Sequence, residues 1–446
     1  MQVADEVHGE PASGVKRALV STFRSVMRLY FRRIERIGHP PHAHTGGRVF
    51  VSNHYNALID PILVITDAAC DISPIAKSTL WKIPGLKWLL DQAGAVPIIR
   101  RSDAPDKDAG ANDAVFARIA SHLARGGNIL IFPEGTSHSE PHLAPLRTGA
   151  ARMLAAGEAA GGATTFQAVG LEFDARDDFR SRCLVLWGPI RRFAEVEGAT
   201  EDERVRAATA IMDADLRELL VEGETHEERR LIARVAEMLA SDAGDASLSG
   251  WNTIGRQVEL AASTLRGLGA ETVMAVQVRV DAYFAQLERL GLRDAQIAAP
   301  SSGPADAAAA PRPSLVGKAL LAPLAVAGLA LYAIPYVIPR LVAKRTRDAD
   351  AVSTIKLGVA LIVYPVWMAG LVTASLTLLP PPVSYLAAAV AVASPFAALR
   401  WLDAWWERTP VAPTGDELAA LARLRIAART AIDAARARLA DATVLS

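Results

Sequence analysis

The sequence has few cysteines, no excess of either charge and no obvious nucleophile motif. Only two cysteines occur in 446 residues, which argues against a disulfide framework or a cysteine-rich metal site. Lysine and arginine together number 48, as do aspartate and glutamate, so no positive surplus favours nucleic acid as a partner. The pattern Gly-x-Ser-x-Gly, which places a serine on a sharp turn, does not occur. These absences disfavour a secreted disulfide-rich domain, a nucleic-acid-binding protein and a serine hydrolase.

The chain is nevertheless rich in apolar residues. They make up 51% of the sequence, a high value for a wholly soluble protein, and this predicts contact with a membrane. The length suffices for two or three domains. The first residues include Asp5, Glu6 and Glu10 and lack the apolar core and cleavage site of a secretory signal. We therefore expect the catalytic domain to be cytoplasmic.

Changes in composition divide the chain into six segments. In order, they are a basic amphipathic membrane-contact helix in residues 1–45, a catalytic domain in 46–195, a helical appendage in 196–297, a linker rich in proline and alanine in 298–314, membrane segments in 315–400 and a C-terminal amphipathic helix in 401–446. In the catalytic segment, short apolar runs alternate with helical patterns. That alternation predicts an α/β domain with a mixed sheet flanked by helices, with ligands at the strand ends.

Residues 15–36 carry apolar side chains at helical spacing, interleaved with arginines. This pattern predicts a basic amphipathic helix that lies on anionic lipid head groups. The alternative is a helix packed on the core of its own domain.

Three apolar stretches lie near the C-terminus. The first, 319–338, is interrupted by prolines, whereas 357–379 and 383–399 have the length of spans. Basic residues such as Lys344 crowd the loop between the first and second stretches, which places that loop in the cytoplasm by the positive-inside rule. We therefore expect 319–338 to be re-entrant or interfacial and the last two stretches to form a spanning hairpin.

A histidine and an aspartate lie six positions apart in the stretch VSNHYNALIDP. His54 is a candidate general base, and Asp60 is the candidate group that orients it. Six positions on a helix correspond to a rotation of about 240°, so the pair would not share a helix face. We expect His54 in a strand-to-helix turn and Asp60 in the first helical turns, reaching back. A lone histidine near an aspartate is usually structural, so the assignment depends on accompanying motifs.

Further candidates follow later apolar runs, where a phosphorylated acceptor would need cations and hydrogen-bond acceptors. They are Lys77, Arg100 and Arg101 for phosphate, and Glu134, Gly135 and Thr136 in a tight turn for the acceptor. The histidines His138 and His142 flank Glu140 but lack a third ligand at useful spacing, so we predict no metal site.

The motifs occur in the order NHxNxxxDP, GxVPIxRR, FPEGTSH and GLEF…FRSR…GPI across residues 50–192. This order resembles the glycerolipid acyltransferase family, and is most similar to its glycerol-3-phosphate/dihydroxyacetone-phosphate branch. The usual family pattern has four residues between the histidine and the aspartate. Here there are five, as in that branch.

The resemblance implies that His54 deprotonates the acceptor hydroxyl and that Asp60 stabilises its imidazolium. Attack on the acyl thioester is then direct, without an acyl-enzyme, a metal or a cofactor. Arg100 or Arg101 would hold the acceptor phosphate, and Glu134, Gly135 and Thr136 would complete the acceptor site.

We therefore expect a membrane acyltransferase that moves an acyl group from acyl-CoA or acyl carrier protein to glycerol 3-phosphate or dihydroxyacetone phosphate. One alternative is acylation of lysophosphatidate or another lysophospholipid. The other is a non-catalytic membrane scaffold, which would be expected to have lost His54 or Asp60.

Overall fold

A computed structural model describes residues 13–39, 46–83, 85–99, 113–268, 270–298, 315–346, 351–406 and 414–444. The chain divides into two units, Met1–His226 and Glu227–Ser446. Most of the predicted linker, residues 299–314, lies outside the described part.

The described part of the first unit contains a seven-stranded sheet in the order β1-β7-β6-β2-β5-β3-β4. The strands are β1 Arg33–Ile37, β2 Gly47–Ser52, β3 Ser73–Lys77, β4 Val96–Ile98, β5 Asn128–Ile131, β6 Thr164–Phe173 and β7 Arg182–Arg192. Strands β6 and β7 are antiparallel, and all other neighbouring pairs are parallel. The prediction of a mixed α/β sheet is confirmed. Strands β2 to β6 therefore end at one common edge.

Helices cover both faces of this sheet. The helices of the first unit are α1 Gly14–Tyr30, α2 Ile59–Asp67, α3 Leu86–Gln92, α4 Asp113–Ala124, α5 Gly149–Ala159 and α6 Glu201–Leu219. Residues from α4, α5 and α6 pack with strand residues such as Val49 and Phe166 in one apolar cluster. Residues from α2 pack with Phe50 and Trp187 in a second cluster. With both faces covered, β2 is buried at all six positions, including the polar residues Arg48 and Ser52.

The N-terminal segment differs from the prediction of one helix over residues 15–36. Helix α1 ends at Tyr30, and residues Arg33–Ile37 form β1, an edge strand paired in parallel with β7. The prediction was wrong here because the apolar spacing continues past Tyr30, whereas pairing with a strand about 150 residues away decides the conformation. The side chain of Arg180 donates to carbonyl oxygens at the end of α1, including Leu29 O at 2.9 Å. These bonds satisfy carbonyls that a helix terminus leaves without partners.

The predicted helical appendage, residues 196–297, is divided between the two units. Helix α6 packs into the core of the first unit through Val205, Met212 and Leu216. In the second unit, α7 His226–Asp242, α8 Leu248–Leu268, α9 Ala270–Leu290 and α14 Gly415–Val444 share one apolar cluster. Arg425 on α14 binds Asp294 through Nε at 2.8 Å. The C-terminal helix is thus part of a bundle.

The apolar C-terminal stretches form α10 Leu315–Leu331, α11 Ala333–Ala343, α12 Val352–Leu378 and α13 Val383–Trp406. Among the described residues, Val352–Leu378 and Val383–Asp403 are long and apolar enough to cross a membrane, and they contain the two stretches for which spans were predicted. Helices α10 and α11 form a pair bent by 47°. The bend follows from Pro335, which has no N–H to donate to the carbonyl four residues earlier. Trp367 Nε1 donates instead to that carbonyl, Leu331 O, at 2.9 Å.

Candidate active site

The candidate site lies directly after the central strand β2, at the edge of the sheet where the parallel strands end. The side chain of Asn53, the first residue after β2, bonds twice to the backbone of β6. Its Nδ2 donates to Leu171 O at 3.0 Å, and Leu171 N donates to its Oδ1 at 2.8 Å. These two bonds replace the strand pairing that ends at Ser52. The turn that follows is therefore held against the sheet.

His54 and Asp60 meet at this turn. His54 lies after β2, Asp60 lies in the first turn of α2, and His54 Nδ1 is 3.1 Å from Asp60 Oδ2. The spacing predicted this arrangement. Asp60 is fully buried and also accepts a 2.6 Å hydrogen bond from Asn56 N. A carboxylate beside Nδ1 favours the tautomer with the proton on that nitrogen, which leaves Nε2 as the acceptor.

The imidazole of His54 is also fixed by an aromatic contact. It stacks on Phe132 with ring centroids 4.0 Å apart and an angle of 19° between the planes. Phe132 follows β5, the neighbour of β2 in the sheet. The ring is therefore held at one edge by Asp60 and across one face by Phe132.

Glu134 joins the turn after β2 to the turn after β5. Its Oε1 accepts a 2.8 Å hydrogen bond from His54 N, and its Oε2 accepts one of 2.9 Å from Ala144 N. The ring nitrogen Nε2 of His138 also contacts Oε2. Glu134 is buried, and both oxygens bind the protein. These contacts are those of a side chain that ties two turns together, whereas the sequence predicted one that receives an acceptor hydroxyl.

Gly135 adopts a positive φ of +82°, which favours glycine. A Cβ at this position would lie 2.7 Å from Arg147 Nε, so the guanidinium of Arg147 packs directly over the turn. Arg147 N donates to Pro133 O at 2.9 Å, which fixes the chain there. Arg147 is exposed and brings a cation to the same turn.

The other predicted residues are placed as follows. Lys77 is the last residue of β3, two strands away from β2, or about 10 Å at the usual strand spacing. Thr136 is exposed next to Gly135. Arg100 and Arg101 lie outside the described residues, although β4 ends at Ile98 on the same edge.

Sequence reasoning missed two residues of the site. His138 was interpreted as a loop histidine without a role in the site. Its main-chain N–H donates to His54 O at 3.1 Å, and its ring contacts Glu134. The four-residue spacing of Glu134 and His138 within FPEGTSH was the available signal. Arg147 was not singled out, and only the fold brings it over Gly135. Within the described residues, no group of three or more His, Cys, Asp or Glu side chains could hold a metal ion.

The environment of neither cysteine favours the thiolate form that a nucleophile needs. Burial raises the pKa of Cys70 to about 11, partly offset by Arg48. Burial also raises the pKa of Cys183, which is completely buried in the sheet. Thiols with raised pKa values are protonated at neutral pH and attack poorly.

A buried His–Asp pair at the end of the central strand of an α/β domain is compatible with a class of transfer or hydrolytic domains in which a histidine acts as general base. Comparison with known proteins narrows this class. Residues 31–167 match the family model described as Acyltransferase. The chain thus carries an acyltransferase-family domain, which confirms the family predicted from the motifs.

Proteins similar to this chain include two curated proteins and one solved structure. It is 39% identical over 80 residues to glycerol-3-phosphate O-acyltransferase 2 of Saccharomyces cerevisiae, covering 17% of this chain and 11% of that protein. It is 28% identical over 102 residues to the chloroplastic 1-acyl-sn-glycerol-3-phosphate acyltransferase BAT2 of Brassica napus. That match covers 23% of this chain and 27% of the BAT2 protein. The crystal structure of the LPA acyltransferase PlsC from Thermotoga maritima is 14% identical to this chain at a TM-score of 0.33. That match covers 46% of this chain and 81% of the PlsC chain. The matches thus span between a tenth and about a quarter of the curated relatives.

Proposed function

We propose that this protein transfers a fatty acyl group from an acyl thioester, acyl-CoA or acyl carrier protein, to the sn-1 hydroxyl of glycerol 3-phosphate or to dihydroxyacetone phosphate. The observation that carries the proposal is the buried His54–Asp60 pair, with Nδ1 of the imidazole engaged at 3.1 Å. The Saccharomyces cerevisiae relative, a glycerol-3-phosphate O-acyltransferase by name, supports this acceptor.

In the proposed reaction, Nε2 of His54 takes the proton of the acceptor hydroxyl as its oxygen attacks the thioester carbonyl carbon. Asp60 stabilises the imidazolium that forms. The tetrahedral intermediate collapses, the carbon–sulfur bond breaks, and the thiolate takes the proton from Nε2. The products are an ester and a free thiol, and His54 returns to its starting state.

The acceptor phosphate requires cations at this edge of the sheet. Arginine binds phosphate with two parallel hydrogen bonds, and lysine acts as a point charge. We assign this role to Arg100 or Arg101, with Lys77, and we add Arg147, whose guanidinium lies over Gly135. Thr136 and the backbone of the Gly135 turn would complete the acceptor site.

A second candidate acceptor is lysophosphatidate. The similarity to a 1-acyl-sn-glycerol-3-phosphate acyltransferase from Brassica napus favours it. Both acceptors offer a free hydroxyl and a phosphate, so the same residues would serve either.

We further propose that the domain works on the cytoplasmic face of a membrane. The apolar α12 and α13 support membrane anchoring, and the basic residues Lys344 and Arg345 favour a cytoplasmic loop before α12. Trp88 and Ile83, which are 57% and 48% exposed near α3, would seat the domain at the lipid surface. A cysteine introduced at Lys344 should be labelled from the cytoplasmic side, and labelling only from outside would contradict this topology.

The decisive experiment measures acyl transfer by membranes containing the wild type or His54→Ala, with labelled palmitoyl-CoA or palmitoyl-ACP. Glycerol 3-phosphate, dihydroxyacetone phosphate and lysophosphatidate serve as acceptors. We expect one acceptor to be used and the rate to fall by orders of magnitude in the variant. The matched control is His226→Ala, an exposed histidine at the start of α7, which should keep wild-type activity. Equal activity in wild type and His54→Ala would overturn the mechanism.

A further inference from the structure

The helical bundle of the second unit contains an apolar cleft of about 340 Å³ between α7, α8, α9 and α14. Of the seventeen described residues that line it, fourteen are apolar. Protein interiors contain few voids larger than a water molecule, so this volume is large for a packing fault. Six of the apolar residues are half-buried and present apolar surface to the cleft: Ile254, Val258, Ala261, Ala262, Val273 and Leu439.

The cleft is long and narrow. Its lining runs from Glu228 to Leu239 on α7 and from Ile254 to Leu265 on α8. Eleven residue steps along a helix correspond to about 16 Å, so the mean cross-section of the cleft is roughly 21 Å². A methylene group fills roughly 30 Å³, like a water molecule in the liquid, which leaves room for about eleven methylene groups. These dimensions fit one extended alkyl chain.

The charged lining residues, Glu228 and Arg436, lie toward one end of the cleft. At this end α8 is followed directly by α9, and Arg438 near the end of α14 contacts Thr272 on α9. Nη2 of Arg266 lies 3.3 Å from Glu228 Oε1, so the end of α8 also adjoins the start of α7. Arg436 precedes Arg438 by two residues and therefore belongs to the same end of the bundle.

Arg436 gives the cleft a positive charge that no side chain in the described ranges neutralises. It is exposed, and its guanidinium makes no ion pair or hydrogen bond with another described residue. Asp433, the acidic residue three positions earlier on α14, pairs with Arg429 at 3.3 Å, and Glu228 pairs with Arg266. The charge complement of the cleft is therefore a group with a single negative charge.

We propose that this cleft binds a long-chain fatty acid, with the alkyl chain along α7 and α8 and the carboxylate at Arg436. A guanidinium binds a carboxylate through two parallel hydrogen bonds. One arginine balances the single charge of a carboxylate, whereas a phosphate monoester carries nearly two charges. An amphipathic peptide helix fits less well, because two turns of a helix with its side chains fill roughly 800 Å³.

The proposal does not rest on acyl transfer. Every residue that carries it lies in the second unit, whereas His54 and Asp60 lie in the first. A fatty acid could therefore bind the cleft of a chain that has lost its proposed general base.

Photolabelling of the full chain in phosphatidylcholine nanodiscs tests the site and the orientation of its ligand. The probe is dodecanoic acid with a diazirine near its last carbon, and peptide mass spectrometry locates the label. We expect saturable labelling near Leu239 on α7 and Ile254 on α8. A probe with the diazirine beside the carboxyl group should instead label residues near Leu265 and Val273. The reverse pattern, or the same pattern with both probes, would overturn the placement of the carboxylate at Arg436.

Competition by unlabelled fatty acids of increasing length measures the size of the site. Each added methylene should raise the affinity, referred to the aqueous concentration, about fourfold. The affinity should level off at roughly twelve carbons, when the cleft is full. An affinity that keeps rising at the same rate to sixteen carbons would indicate partition into the bilayer and would overturn the site. Dodecanol, which lacks the charge, should compete at least tenfold more weakly, and equal competition would overturn the role of Arg436.

Two variants, each with a matched control, complete the test. Arg436→Gln should weaken binding by about tenfold, the usual effect of one charge-assisted hydrogen bond. Arg423→Gln, at an exposed position of α14 outside the lining, should bind like wild type. Ala262→Phe should fill the cleft and abolish saturable labelling, whereas Ala434→Phe, at an exposed position of α14 outside the lining, should not.

Unchanged thermal unfolding verifies the fold of every variant. Because Arg436 is exposed, its replacement leaves the packing of the bundle unchanged. Wild-type labelling of both Arg436→Gln and Ala262→Phe would overturn the site. His54→Ala should be labelled like wild type, so failure of this proposal and failure of the proposed acyl transfer are distinguishable.

Discussion

The main-chain N–H of His54 donates a 2.8 Å hydrogen bond to Oε1 of Glu134, a residue 80 positions later in the chain. This bond connects the turn that carries the proposed base to the turn that follows β5. The second oxygen of Glu134 binds Ala144 N, so one buried carboxylate connects the backbone at two other places, His54 and Ala144, to its own turn. The position of the imidazole is thus set from two directions, by Asp60 through its ring and by Glu134 through its backbone.

Replacement of Asp60 tests the orientation of the proposed base. Asp60 Oδ2 contacts His54 Nδ1 and accepts from Asn56 N, and its Oδ1 accepts from Asn56 Nδ2. In Asp60→Asn, the amide nitrogen must face donors on one of these two sides, and the negative charge that would stabilise the imidazolium is lost. We expect kcat to fall by roughly three to four orders of magnitude. Steady-state acyl transfer measures this, and a fall of less than tenfold would contradict the proposed role of Asp60.

Replacement of Glu134 should affect both stability and activity. A glutamine has one acceptor oxygen, so in Glu134→Gln either His54 N or Ala144 N is left facing an NH₂ group. The cost is about 1–3 kcal/mol for a buried unsatisfied donor. Denaturant unfolding should show this loss along with reduced kcat. Glu140→Gln, an exposed residue of the same loop, is the control and should change neither quantity.

Arg147 should matter for acceptor binding. Its guanidinium packs over the Gly135 turn, where a phosphate of the acceptor would gain a charge-assisted bond. We expect Arg147→Ala to raise the KM for the phosphorylated acceptor by about tenfold or more, with a smaller change in kcat. Arg152→Ala, an exposed arginine on α5, should behave like wild type. An unchanged KM in Arg147→Ala would remove this residue from the acceptor site.

The two cysteines should react slowly and without loss of function. With a pKa of about 11, Cys70 is only about 0.1% thiolate at pH 8, since each unit below the pKa lowers the thiolate fraction tenfold. Alkylation of Cys70 by iodoacetamide should therefore accelerate nearly tenfold per pH unit up to about pH 11. Mass spectrometry of labelled protein measures the rate, with glutathione as reference. Rapid labelling at pH 7 accompanied by full inactivation would point to a thiol mechanism instead.

Local patterns predicted what local interactions decide. The apolar run of β2, the turn at His54 and the start of α2 near Asp60 follow from neighbouring residues, and their geometry agrees with the expectation. Strand β1 could not be predicted this way, because Ile34 continues the helical spacing of α1 and only pairing with β7 selects the strand. The approach of Arg147 to Gly135 likewise depends on how two turns meet in space.

The parallel pairing of β1 with β7 also affects how the domain is made. Ile37 pairs with Leu186, so β1, which is synthesised before the other strands of the described sheet, can pair only after β7 has been made. At usual rates of synthesis the interval is roughly ten to thirty seconds. During that time the arginine-rich α1 is present without the sheet on which β1 docks, and it is available to an anionic membrane surface. Translation order would thus allow the nascent chain to reach the membrane before its sheet is complete.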